Sequence, residues 1–257
     1  MKMISKYFVL PLLLMLAAPM HTSADDFRRG DTNQDGKVSI SDVTCLINYL
    51  LTGLWPGEEA EHTWVDLGLP SGTLWATCNV GASYPEDYGD YFAWGETEPK
   101  DTYLWSTYKW CNGSSSTLTK YCRSNGYDGF VDDKTELDPE DDAAYVNWGE
   151  NWRMPSDEQM SELRNQCTWT WTTHNGVNGC LVTGPNGNTL FFPAAGFYNI
   201  NGLSDTGSRG DYWTRTVNDY PYYCTSAGHL VFSSSGGVNL YAYNRCYGHS
   251  VRPVRVL

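Results

Sequence analysis

The stretch NWRMPSDEQMSELRNQCTWTWTTHNGVNGCLVTGPNGNTLFFPAAG, residues 151–196, carries the clearest local signals in the chain. Ser156 and Gln159 have capping-box spacing beside Pro155, and Met160, Leu163 and Cys167 share one helical face. This predicts a helix over 155–166. Strand patterns begin at Cys167. In CTWTWTT the residues Trp169 and Trp171 alternate onto one face, and GCLVTG and NTLFFPAAG read as further strands. Asn175-Gly176, Asn178-Gly179 and Pro185-Asn186-Gly187 supply the turns between them.

Upstream, WVDLG (64–68) and TLWATC (73–78) read as extended segments around the turn Pro70-Ser71-Gly72. An irregular Tyr/Gly/Asp-rich stretch runs to about Asp133, and DPEDDAAYVNW predicts a short helix from Pro139 with acids in its first turn. Downstream, HLVFSS, VNLYAY and HSVRPVRV read as three strands. Strands, then a helical region, then many short strands predict an α+β fold rather than βαβ repeats.

The N-terminus sets the expected compartment. Lys2 and Lys6 precede an apolar run from Tyr7 to Ala18, and Thr22-Ser23-Ala24 has small residues where a signal peptidase cuts. The run is shorter than the roughly 20 apolar residues a membrane span needs, and no second run of that length follows. Residues 1–24 therefore read as a signal peptide, which predicts an exported protein in the extracellular space, at the cell surface or in the periplasm. Without that segment the chain has 15 basic and 30 acidic residues. Such a balance repels nucleic acid and anionic lipid and suits calcium or neutral partners.

Residues 31–42, DTNQDGKVSISD, have calcium-loop spacing. Asp31, Asn33 and Asp35 hold positions one, three and five, and Gly36 holds the sharp turn at six. Lys37 offers its backbone carbonyl at seven, Ser39 acts through water at nine, and Asp42 clamps the ion at twelve. Hard oxygen donors at these positions wrap one Ca²⁺. Val43, Leu46, Ile47, Leu50 and Leu51 then form an apolar helical stripe ended by Gly53. The string GDTNQDGKVSISDVTCLINYLLTG resembles a dockerin type I repeat. That resemblance implies a cohesin-like partner and an association with polysaccharide breakdown; dockerins usually carry two repeats, and this chain has one. The boundaries expected are 1–24 signal, 25–54 calcium loop and helix, 55–62 acidic linker, and 63–257 main domain.

The main domain resembles the Fibrobacter succinogenes major paralogous domain of bacterial surface proteins. The strings that carry this are VDLGLPSGTLWATCNVGA (65–82), YGDYFAWGE (88–96), NWRMPSDEQMSEL (151–163), FFPAAG (191–196), YWTRT (212–216) and GHSVRPV (248–254). The resemblance implies a C-type-lectin-like fold of short antiparallel strands with one or two helices, its closing VRPV strand beside the first strand of the domain. The calcium-and-sugar site of such lectins is not implied, because Glu98-Pro99-Lys100 puts a lysine where the ion would sit and no Trp-Asn-Asp follows. The paired reactive cysteines of formylglycine-generating enzymes have no counterpart either.

Candidate ligand-binding residues crowd the C-terminal part: Tyr220, Tyr222, Asn239, Tyr241, Tyr243, Asn244 and Tyr247. Tyr gives rigid contact area and Asn supplies adaptable hydrogen bonds, so the composition suits a glycan or protein ligand. Alternating aromatics are more often core or sheet-face packing, and Trp213 inside YWTRT reads as core. The acids between Asp128 and Asp142 admit three readings: a solvated loop and helix start, a weak second calcium site, or a carboxylate pair for glycoside hydrolysis. His229 and His249 could face each other on adjacent strands, but no Ser or Cys elbow accompanies them. No catalytic constellation stands out, which predicts a non-catalytic recognition protein; the alternative is an accessory or hydrolytic component recruited through the dockerin-like repeat. Spacing pairs Cys111 with Cys122, Cys167 with Cys180 and Cys224 with Cys246 as disulfides, with buried free thiols as the equal alternative.

Overall fold

In a computed structural model, the structure describes residues 38–40, 43–44, 46–47, 62–122, 131–217 and 224–256. The chain divides into two units, Met1–Glu61 and His62–Leu257. In the first, the described residues Val43, Thr44, Leu46 and Ile47 are helical, in the segment where the apolar stripe predicts a helix, and Ile40, within the expected loop, is helical as well.

The second unit is built from antiparallel sheet. Its strands are β1 Trp64–Asp66, β2 Leu74–Ala76, β3 Phe92–Ala93, β4 Trp152–Arg153, β5 Thr168–His174, β6 Val177–Thr183, β7 Thr189–Pro193, β8 Phe197–Asn199, β9 Gly202–Ser204, β10 Arg209–Val217, β11 Ser226–Ser233, β12 Gly236–Asn244, β13 Gly248–His249 and β14 Val254–Arg255. They form four small sheets, ordered β1-β2-β14-β4, β3-β13-β8-β9, β5-β6-β7 and β10-β11-β12. Two α-helices accompany them among the described residues, α1 Ala143–Trp148 and α2 Asp157–Gln166. The α+β architecture expected from the sequence, with its C-type-lectin-like arrangement, is thus corrected to a mostly β fold. The physical reason lies in the middle segment. Pro139–Asp141 makes only a 3-10 turn, and Gly149 at φ 89° stops α1 after six residues. The long Tyr/Gly/Asp-rich stretch adds no α-helix among its described residues.

Local signals that depend on neighbours in sequence behave as expected. Ser156 caps α2 by accepting from the Gln159 N–H, and the Gln159 side chain accepts from the Ser156 N–H. Met160 and Leu163 are the buried residues of that helix. β5 and β6 pair in register from Thr168–Thr183 to His174–Val177, with Asn175-Gly176 as the two-residue turn. Both turn residues have positive φ, as this tight hairpin connection requires.

Three aromatic clusters hold the sheets together. One gathers Trp75, Phe192, Tyr212, Leu230 and Phe232 with Met160 and Leu163, and Trp169 and Trp171 pack on its rim. A second gathers Phe92, Trp94, Tyr121, Met154, Trp213 and Val251. The third holds Tyr103, Tyr108, Cys122, Cys224 and Cys246. Trp213 is fully buried, as its place inside YWTRT predicts, and its Nε1 donates to the Phe92 carbonyl at 2.8 Å. Trp94 Nε1 donates to the Thr214 carbonyl at 2.8 Å, so both of these rings have their polar tips satisfied.

β14 lies between β2 and β4, pairing Val254 with Trp75 on one side and Arg153 on the other. The closing strand is therefore next to the second strand of the domain, and β1 lies beyond it. HSVRPVRV makes two short strands in different sheets rather than one. The expected cysteine pairs are not formed, since Cys111, Cys167, Cys180 and Cys246 carry free thiols. For Cys167 the register gives the reason: Cys180 pairs with Trp171, four residues further along β5. Cys224 and Cys246 both lie in the third cluster, beyond the ends of β11 and β12.

Candidate functional site

The sheet β10-β11-β12 positions the C-terminal candidates. Its register aligns Trp213, His229 and Tyr241 across the three strands, with Asp211, Val231 and Asn239 as the next row. Because side chains alternate along a strand, these rows share one face of the sheet. The opposite face carries Tyr212, Leu230 and Leu240 into the first aromatic cluster. β12 is an edge strand, so the outer row stands at the border of the packed face.

Along that border the predicted residues differ. Tyr241 is exposed, at 61 %, while Asn239, Tyr243, Asn244 and Tyr247 are half-buried. Tyr243 and Tyr247 rings meet edge-on, with centroids 5.2 Å apart, and Tyr243 also packs against Phe197 at 5.7 Å. Burial pushes the Tyr243 phenol upward despite the nearby Arg209 cation. The face thus offers one free ring flanked by two anchored ones and two amide side chains. Tyr220 and Tyr222 lie outside the described residues.

Beneath these tyrosines sits a group that reading the sequence strand by strand missed in part. Asp211, His229 and His249 each bring one donor atom to within 4.8 Å of the others, and none is more than 1 % exposed. His229 Nε2 is 3.4 Å from Asp211 Oδ1, and the two imidazole centroids are 5.1 Å apart. The histidines do face each other, but from different sheets: His249 is in β13, and β13 meets β10 through Ser250, whose N–H donates to the Asp211 carbonyl at 3.1 Å. Trp213 stacks on His249 at 3.9 Å. Asp211 was not visible as a candidate, since RGDYWTRTV gives no motif around it.

Arg209 grips Asp211 in a two-pronged pair, with Nε to Oδ2 and Nη2 to Oδ1 both at 2.7 Å. Burial alone would raise the Asp211 carboxyl, but His229, His249 and Arg209 together hold it below its ordinary value. Burial drives His249 well below the usual imidazole range, opposed by the Asp211 charge. Both ring nitrogens of His229 and of His249 are without hydrogen-bond partners among the described residues. An unsatisfied buried polar group costs about 1–3 kcal/mol, so four in one place is a notable departure.

The acids of the middle segment hold structure. Asp141, buried, accepts from Lys120 Nζ and Tyr121 Oη, both at 2.6 Å, and from Lys109 Nζ at 3.2 Å. Asp142, also buried, caps α1 through the Ala144 and Tyr145 N–H groups and pairs with Arg153 Nε at 2.8 Å. Asp138 bridges Lys120 and Lys134, Glu136 pairs with Arg215, and Asp132 accepts from the N–H groups of Tyr121 and Cys122. Lys100 of Glu98-Pro99-Lys100 is fixed to Glu96 at 2.8 Å. A cleft of about 370 Å³ lined by Thr73, Glu136, Arg153, Gln159, Arg215 and Arg255 lies nearby, and Arg153 and Arg215 there are tied to Asp142 and Glu136.

Of the calcium loop, Asp31, Asn33, Asp35, Lys37 and Asp42 lie outside the described residues, and Ser39 is exposed. Three apolar side chains of the described helical residues from the end of the loop onward face solvent. Ile40, Val43 and Ile47, spaced three and four apart on one helical face, are each at least half exposed. Among the described residues no helix is long and apolar enough to cross a membrane.

Residues 29–66 match the dockerin type I domain, a module that typically binds calcium through EF-hand-like loops and binds cohesin. The match takes in the expected calcium loop and the described helical residues Val43 to Ile47, and runs through residues 55–62 to the end of β1. No curated protein and no solved structure matches the chain. The resemblance of residues 63–257 to the major paralogous domain finds no support in these comparisons.

Proposed function

We propose that the protein is an exported, non-catalytic recognition protein that loads Ca²⁺ in residues 31–42, attaches to a cohesin module through its dockerin segment, and displays the β12 border to a glycan or protein ligand. The dockerin match over residues 29–66 carries this reading. The exposed apolar side chains of Ile40, Val43 and Ile47 support it, because a helical face of that kind is covered when a partner docks. For the ligand face, support comes from the mixture of one exposed ring, Tyr241, with flanking Asn239 and Asn244.

The non-catalytic assignment draws on the middle carboxylates. A hydrolase of the two-carboxylate type needs one raised and one ionised acid open to substrate. Asp141 and Asp142 are buried and bonded to Lys, Tyr, Arg and backbone donors, and Asp138 is held below its ordinary value by Lys120 and Lys134, which overcome the opposing effect of burial. As part of a bacterial polysaccharide-degrading assembly, the protein would supply binding rather than turnover.

Binding of a purified type I cohesin module, measured by biolayer interferometry, tests the attachment. Capture in Ca²⁺, lost in EDTA and lost in a Val43→Asp plus Ile47→Asp variant, is the expected outcome. Capture that ignores both calcium and that variant would refute it.

A further inference from the structure

We propose that Asp211, His229 and His249 bind a divalent transition-metal ion, of which zinc fits the donor set best, and that the ion clamps the β10-β11-β12 sheet to β13. This site is separate from the calcium loop and does not depend on the proposed function.

Geometry is the first support. Ligand bonds of about 2.0–2.1 Å at a tetrahedral ion put neighbouring donors about 3.3–3.4 Å apart. Asp211 Oδ1 and His229 Nε2 are already 3.4 Å apart, and one donor atom from each of the three residues lies within 4.8 Å of the other two. Closing the longest separation by at most about 1.5 Å completes the triangle. The second support is the orphaned imidazole nitrogens, which are buried yet have no hydrogen-bond partner among the described residues. A buried neutral histidine ordinarily donates one N–H and accepts at the other nitrogen, and metal ligation satisfies that second need.

Arg209 supplies what ligating carboxylates usually have, a hydrogen-bonding partner outside the metal that fixes their orientation. It uses one lone pair on each Asp211 oxygen and leaves the other free. Its own charge opposes a cation nearby, but Asp205 at 3.9 Å and Asp211 together outnumber it by one. Two imidazoles and one carboxylate select borderline ions such as Zn²⁺ and Co²⁺ over Ca²⁺, which takes oxygen donors. The fourth position falls to water. Tyr243, with its ring centroid 5.5 Å from that of His229 and 5.8 Å from that of His249, closes the site on the solvent side. The competing occupant is a buried water bridging the same donors.

Cobalt titration decides between them. The protein, stripped with chelator and then saturated with Ca²⁺ to fill the N-terminal loop, is titrated with Co²⁺ and followed by visible absorption. One Co²⁺ per chain, displaced by Zn²⁺, is expected, together with a higher thermal midpoint in Zn²⁺. Loss of an outer hydrogen-bond partner alone weakens metal sites about 10–100-fold, so His249→Phe and His229→Leu should each weaken binding at least that much. His174→Gln, at the exposed end of β5, should leave it unchanged. Absence of both cobalt absorption and a zinc-induced midpoint shift in the unaltered protein, at tenfold excess of metal, would overturn the proposal without relying on any variant. Cobalt binding that survives in both histidine variants would overturn it as well.

Discussion

Replacing Asp142 with alanine separates a structural acid from a solvated one. Its carboxylate accepts from Ala144 N at 2.9 Å, Tyr145 N at 3.1 Å, Met154 N at 3.0 Å and Arg153 Nε at 2.8 Å, and it is fully buried. Loss of the helix cap costs about 1 kcal/mol. The stranded Met154 N–H adds about 1–3 kcal/mol. Arg153 loses its ion-pair partner but retains the Leu137 carbonyl and partial exposure, so only about 1–2 kcal/mol follows from it. The sum is about 3–6 kcal/mol, which for a unit of this size lowers the melting temperature by roughly 6–24 °C. Glu140, two residues away and exposed, is the control, with an expected change inside about 0.5 kcal/mol. Thermal unfolding followed by near-ultraviolet circular dichroism reads both. Equal, small effects for Asp142→Ala and Glu140→Ala would refute the reasoning and return the whole acidic segment to a solvated loop.

Further outcomes follow from other parts of the molecule. Asp31→Ala plus Asp35→Ala should abolish one Ca²⁺ site in isothermal titration, whereas unchanged stoichiometry would reject the loop. Burial raises the thiols of Cys180 and Cys246 to about 12 from an ordinary 9.0. Above pH 9 the unfolded chain releases these protons and the folded one retains them, so stability should fall between about pH 9 and 12. Each thiol contributes at most about 1.4 kcal/mol per pH unit. Melting temperature against pH should lose part of that slope in Cys180→Ala, and an unaltered slope would count against the burial effect. Gly184→Ala sets a Cβ against the Leu67 carbonyl oxygen, and denaturant unfolding should show a loss of about 1–3 kcal/mol. Gly237→Ala, into open space, should change little.

The legible parts of the fold were those written in local sequence. The α2 cap needs only Ser156 and Gln159, and the β5–β6 turn needs only Asn175-Gly176, so both could be read directly. β10 could not. It is the most buried of the long strands, yet it contains Arg209, Asp211, Thr214 and Arg215, which break any apolar run. Their partners are remote: Thr214 bonds Asp157, and Arg215 bonds Glu136 and the Met154 carbonyl. The same remoteness hid the Asp211 group, because its members come from three strands in two sheets. The α+β expectation failed because helical signals in the middle segment were short, and strand pairing at long range supplied the rest. For the ligand face, period-two alternation correctly put Asn239, Tyr241 and Tyr243 on one side of β12. Only packing distinguishes Tyr241, which is open, from Tyr243, which is wedged against Phe197 and the histidines.

Glycan-microarray binding of the Ca²⁺-loaded protein beside its Tyr241→Ala variant tests the recognition surface most directly. A defined set of bound glycans is expected, with a signal that drops at least tenfold on removal of that one exposed ring and an unchanged melting temperature. Glycan signal that persists undiminished in Tyr241→Ala would contradict it.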